Sequence, residues 1–150
     1  MSIKKAIIEK NNGEEVEKSE YVNLILDDMN IQEICEEDQS FLEGFLETEF
    51  LALNNTNLKS LKNLPKLAKL TRLEVNDNKL GIDSPLKLGL IAEKYPSIKI
   101  LKLSNNQVKT FEEISELAAC KNLESLDLSN NPVTLKEGYK DKVWASLPTL

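Results

Sequence analysis

The chain has 150 residues, of which 41% are hydrophobic and 29% charged, with a formal net charge of −6 and no histidine. That length supports one domain with a continuous core. The missing imidazole excludes Ser-His and Cys-His nucleophile activation and the commonest general base, and no apolar run is long enough to cross a bilayer as a helix.

From the N-terminus, Ile3, Ala6, Ile7 and Lys10 are spaced for one face of a short helix that stops at Asn11-Asn12-Gly13. A stretch with Tyr21, Leu24, Leu26 and Ile31 reads as a first strand and turn. Ser40-Phe41-Leu42-Glu43 has the form of a capping box and predicts a helical turn through Leu46, followed by a strand at Leu51 and Leu53. Leu61, Leu64, Leu67 and Leu70 form a threefold series interrupted by Pro65, which predicts a 3₁₀-like connection. After a strand at Leu73 and Val75, Ser84-Pro85 reads as an N-cap with proline at the first helical position. Leu86, Leu90 and Ile91 then face inward until Tyr95-Pro96 ends the helix. Thr110-Phe111-Glu112-Glu113 is a second capping box, with Ile114, Leu117 and Ala118 on the buried side. Tyr139, Val143, Trp144 and Leu147 predict a terminal helix that stops at Pro148, with Trp144 in the core of the cap.

The strand segments share a template. Leu123, Leu126, Leu128, Asn131 and Val133 have the spacing of Ile98, Leu101, Leu103, Asn106 and Val108, and of Leu70, Leu73, Val75, Asn78 and Leu80. Two weaker copies precede them, with Thr56 and Met29 in the Asn slot. Successive copies lie 27, 22, 28 and 25 residues apart, within the range of a leucine-rich repeat. Residues two apart on a strand share a face, so the leucines build a core. The Asn amide satisfies loop carbonyls of its own and the adjacent coil. Thr56 and Met29 do this incompletely, which predicts less regular first coils. The fold expected is an α/β solenoid: right-handed, with a curved parallel sheet on the concave side and short helices and 3₁₀ turns on the convex side. One domain spans 1–150, with an N-terminal cap over about 1–20, about five repeats over 21–135 and a C-terminal cap over 136–150.

Lining up the coils places Ile25, Ala52, Glu74, Lys102 and Asp127 in one outward row of the sheet. Asn23, Phe50, Arg72, Ile100 and Ser125 form a second, and Asp27, Asn54, Asn76, Ser104 and Ser129 a third. Together these rows form a candidate partner-binding face. Glu74, Lys102 and Asp127 alternate in sign across neighbouring strands, either as a self-satisfied ionic ladder or as a polar recognition face with Phe50 and Ile100 as exposed apolar anchors.

No motif for chemistry emerges. The five glycines form neither a dinucleotide-binding pattern nor a P-loop. Asp28, Asn30 and Gln32 begin like a calcium loop, but Glu33 stands in place of the turn glycine and Gln39 in place of the bidentate Glu. Cys35 and Cys120 read as free thiols packed near the core. Asn54-Asn55-Thr56 is a sequon expected to be without consequence, since the opening M-S-I-K-K-A-I-I-E-K lacks the long apolar core of a signal peptide. No enzyme activity, cofactor or metal is expected. Residues 1–50 carry 4 lysines against 14 carboxylates, whereas residues 51–150 carry 15 cations against 11 carboxylates. An acidic pole repels nucleic acid and attracts basic proteins.

The segments L-P-K-L-A-K-L-T-R-L-E-V-N-D-N-K-L (Leu64 to Leu80), A-E-K-Y-P-S-I-K-I-L-K-L-S-N-N (Ala92 to Asn106) and Y-K-D-K-V-W-A-S-L-P-T-L (Tyr139 to Leu150) resemble the leucine-rich domain of the acidic leucine-rich nuclear phosphoproteins. The capping signature is shared with the spliceosomal A-prime protein and axonemal dynein light chains. The family's long Asp/Glu tail is absent, and the chain stops where the family continues with L-D-x, so the cap reads as trimmed. The resemblance implies a monomeric nuclear and cytoplasmic regulator with protein partners, without direct nucleic-acid or membrane binding. It implies core histones as partners, bound as a chaperone or acetylation inhibitor, and inhibition of protein phosphatase 2A. The alternative is a structural scaffold of a ribonucleoprotein, like the A-prime protein.

Overall fold

The structure is a computed structural model that describes residues 2–148 and residue 150. Five three-residue strands, β1 (Asn23–Ile25), β2 (Phe50–Ala52), β3 (Arg72–Glu74), β4 (Ile100–Lys102) and β5 (Ser125–Asp127), form one parallel sheet in sequential order. Each central residue points inward, and Leu24, Leu51, Leu73, Leu101 and Leu126 pair strand to strand in one register. The first four are buried. Leu126 is half-buried. The sequential parallel order and the stacked leucines are those of the predicted solenoid.

Strand pairing continues beyond the strands themselves. The amides of Leu26, Leu53, Val75 and Leu103 donate to Ala52, Glu74, Lys102 and Asp127 carbonyls of the next coil at 2.8–2.9 Å. At the bend that follows, Asp28, Asn55, Asp77, Asn105 and Asn130 all have positive φ, a region that Asn and Asp tolerate better than other side chains. The Asn55 amide reaches the Asp28 carboxylate, and the Asn105 amide that of Asp77, each at 2.9 Å.

The Asn slot works as the template predicts. The Asn106 amide donates to the carbonyls of Val75, Leu103 and Ser104 at 3.0–3.2 Å, and its oxygen accepts from the Leu80 amide. Asn78 and Asn131 repeat the arrangement. Where Thr56 replaces Asn, its hydroxyl lies 3.0 Å from the Leu53 carbonyl and 2.9 Å from the Asn78 oxygen. It has one proton to give, so it serves fewer carbonyls than an amide. The sheet is nonetheless as regular there as elsewhere, since β1 and β2 keep the common register. The predicted irregularity is confined to the turn.

The convex side corrects several sequence expectations. Helix α1 (Ile3–Lys10) forms as read, with Ser2 as its N-cap. Helix α2 spans Glu36–Glu43, so Ser40 lies inside it, and the Sγ of Cys35 accepts the cap bond from Asp38. The expected turn through Leu46 fails, and Leu46 is exposed. The reason is Asp38, whose buried carboxylate accepts from the amides of Ile3 and Lys4 at 2.9 and 3.0 Å. Starting α2 at Glu36 places this carboxylate at the N-terminus of α1, where two unpaired N–H groups and the helix dipole favour it. Cys35 is therefore exposed at a cap rather than packed in the core, while Cys120 is buried.

Helix α3 spans Gly89–Lys94, not a helix opened by Ser84-Pro85. The amides of Leu86 and Leu88 are instead taken by the carboxylates of Glu113 and Glu116, at 2.9 and 3.1 Å. Leu61, Leu64, Leu67 and Leu70 are buried through separate turns, with the Leu64 amide donating to Leu61 and that of Leu70 to Leu67, rather than a continuous 3₁₀ helix. Helix α4 (Phe111–Ser115) has the predicted capping box between Thr110 and Glu113, then tightens into a 3₁₀ turn over Glu116–Ala119. The change of period buries Ile114, Leu117 and Cys120 and leaves Ala118 exposed.

Helix α5 (Tyr139–Ser146) closes the far end through Val143 and Leu147. Trp144 is not cap core. It is 57% exposed, because an eight-residue helix docked along Val143 and Leu147 turns the next position outward.

Candidate functional site

The register sets the outward rows. Ile25, Ala52, Glu74, Lys102 and Asp127 are successive partners across the sheet, as are Asn23, Phe50, Arg72, Ile100 and Ser125. Ala52 is buried among its neighbours, and Ile25 is 53% exposed.

The middle of this face is occupied by its own contacts. The Arg72 guanidinium lies 5.1 Å from the centre of the Phe50 ring and its Nε donates to Glu74 at 2.7 Å. The other Glu74 oxygen accepts from the Asn54 amide at 3.0 Å. Phe50 is thus half-buried under a cation, not a free anchor, and Glu74 pairs along its own strand rather than with Lys102. A planar guanidinium can stack on a ring and bond a carboxylate at once, whereas a lysine one strand away cannot match that geometry.

The third row is internal scaffolding. The Asp27 carboxylate accepts from the Asn54 amide N–H at 2.8 Å, the Asn54 side-chain oxygen from Asn76 N–H at 2.9 Å, and the Asn76 oxygen from Ser104 N–H at 2.8 Å. These side chains tie coil to coil. The row ends differently, with Ser129 donating through both N–H and Oγ to Asp127, at 2.9 and 2.5 Å. Those bonds hold the Asp127 carboxyl below the usual range; burial opposes them, and the positive charge of Lys102 adds to them.

What remains available is a subset. Among the described residues the Lys102 ammonium has no ion pair or hydrogen bond, although the register partners of Lys102 are Glu74 and Asp127. Half-buried Ile100 and Ser125 flank it, and exposed Asn23 and Ile25 lie at the N-terminal edge. That edge adds a feature the sequence reading missed, a hollow of about 250 Å³ lined by Ala6, Ile7 and Lys10 of α1, the β1 strand and Met29. Its signal was Met29 in the Asn slot, which substitutes an apolar wall for an amide. Among the described residues no cluster of His, Cys, Asp or Glu could hold a metal ion. The arrangement offers a polar strip with apolar ends, suited to contact with another protein.

Comparison with known proteins agrees with this architecture. The Leucine-rich repeat family matches residues 43–150. A Plasmodium falciparum (isolate 3D7) protein named acidic leucine-rich nuclear phosphoprotein 32-related protein is 33% identical over 127 residues, covering 85% of this chain and 44% of its own length. This chain therefore spans less than half of that relative. A chain in the crystal structure of the Drosophila melanogaster SNF/U2A′ complex shares the fold, with a TM-score of 0.68 at 24% identity over 83% of this chain and 68% of that one. With its asparagine-pinned coils, stacked parallel strands and a match over most of its length, the chain belongs to the leucine-rich repeat family of protein-interaction domains and is similar to the acidic leucine-rich nuclear phosphoproteins.

Proposed function

We infer that this is the non-catalytic docking domain of an acidic nuclear and cytoplasmic regulator, with core histones and protein phosphatase 2A as its partners. The observation that carries the reading is the concave strip that presents the Ile25 and Ile100 side chains and a Lys102 ammonium with no hydrogen bond or ion pair among the described residues. Support also comes from the balance of −10 in the first fifty residues, which draws basic proteins to that end. Histones meet the acidic pole by charge, and the phosphatase docks on the sheet through contacts with an apolar centre.

A second reading, a scaffold that seats a partner domain as in the SNF/U2A′ assembly, rests on the apolar N-terminal hollow beside Ile25. Salt separates the two kinds of contact. Histone affinity should fall at least about tenfold between low and physiological ionic strength, since exposed charges are screened. A partner seated on apolar surface keeps its affinity. Titration of core histones and of protein phosphatase 2A against wild type, Ile25→Asp and Lys102→Glu tests the assignment. The two variants should weaken the phosphatase about tenfold or more and leave histone binding unchanged or tighter; unaltered affinity for both partners contradicts it.

A further inference from the structure

Beyond concave docking, we propose that a basic groove on the convex side binds a short, extended acidic peptide of a partner protein. The groove lies between the 22-residue coil and the 28-residue coil that follows. The shorter coil turns without a helix while its neighbour carries α3, and this difference leaves a trough of about 440 Å³. Lys59, Ser60, Lys62 and Asn63 line it from the shorter coil and Lys87 and Lys94 from the longer.

No carboxylate lines this trough, in a protein with more acidic than basic residues. Among the described residues none of the four ammonium groups has an ion pair or a hydrogen bond, although three other cations of the chain do pair. Of the acids nearest to them, Glu113 is committed to the amides of Leu86, Lys109 and Thr110 and Glu116 to Leu88, while Glu33, Asp83 and Glu112 line the adjoining hollows rather than this one. Four like charges facing one trough repel one another, and an anionic occupant removes that repulsion. The walls are fixed from below. Leu61 and Leu86 are buried, and the Asn63 amide is tied to the Ile34 carbonyl at 3.0 Å.

The occupant follows from size and charge. The trough is too small for a folded domain and fits a few residues of extended chain. No aromatic side chain lines it, so the stacking platform that single-stranded nucleic acid uses is missing.

The test is fluorescence anisotropy of a labelled oligoglutamate peptide with the full chain, at low and physiological salt. The pair Lys62→Glu and Lys87→Glu should weaken binding at least about tenfold, given that each reversal replaces an attraction by a repulsion. The pair Lys99→Glu and Lys140→Glu, exposed and outside the trough, should change it less than about twofold at physiological salt. Lys59→Ala with Lys94→Ala provides a milder groove variant should charge reversal disturb folding. Equal loss from groove and control pairs, no peptide binding at physiological salt, or tighter binding of single-stranded RNA through the same lysines would each overturn the proposal.

Discussion

Asn106 shows how one side chain joins two coils: three carbonyls surround its amide nitrogen, and one of them belongs to the preceding coil. Asn106→Asp keeps the shape and the acceptor but turns three donated bonds into contacts between oxygens. It should cost about 3 kcal/mol or more, at the upper end for a buried polar group losing its partners, as read by urea unfolding at neutral pH. If Asp were tolerated as well as Asn, the slot would be a matter of shape alone. Tyr95 is the converse case. Its ring is fully buried, and its hydroxyl has no hydrogen-bond partner among the described residues. Tyr95→Phe should therefore leave stability equal or raise it by about 1 kcal/mol. Burial, and then the negative charge of Glu43, push the Tyr95 phenol well above its ordinary range, so the unfolded chain releases this proton first. The stability this group contributes is whole below the ordinary phenol value of about 10 and is lost as pH rises above it. Melting temperature against pH should fall less steeply in that window for Tyr95→Phe than for wild type.

Among the elements, the leucine rows and the Thr110 capping box were legible because their signals are local, a two-residue alternation and a contact over three residues. The starts of α2 and α3 were not. Ser40 and Ser84 are good caps by local chemistry, but the decisive groups are distant in sequence. Asp38 holds the start of α1, and Glu113 takes the Leu86 amide 27 residues upstream. The polar third row was misread for a related reason: Asp27, Asn54 and Asn76 look like a surface until the neighbouring coil supplies the donors. The left-handed row from Asp28 to Asn130 was visible as Asn or Asp at every coil, one residue on. Glu113 tests the link between elements. Glu113→Ala removes both the capping box and the tie to Leu86, and should cost about 2–4 kcal/mol by thermal or urea unfolding. Glu113→Gln should cost less, since one oxygen remains for the Thr110 amide while its NH₂ faces the Leu86 N–H.

For the whole molecule, stacking sets both shape and function. Each coil contacts its neighbours, so the sheet extends in one direction and presents a continuous outer face, with the acidic end and the basic trough set apart from it. Which outward residues are available was only partly readable, because Arg72 covers Phe50 and binds Glu74 in a way that strand alternation does not specify. The central claim is that partners dock on what remains of that face. It is tested most directly by methyl NMR of the isoleucine-labelled domain titrated with protein phosphatase 2A. The Ile25 and Ile100 methyl signals should shift or broaden on binding, while those of the buried Ile3 and Ile91 keep their positions. Binding that leaves both surface isoleucines unperturbed and moves residues off the sheet would contradict it.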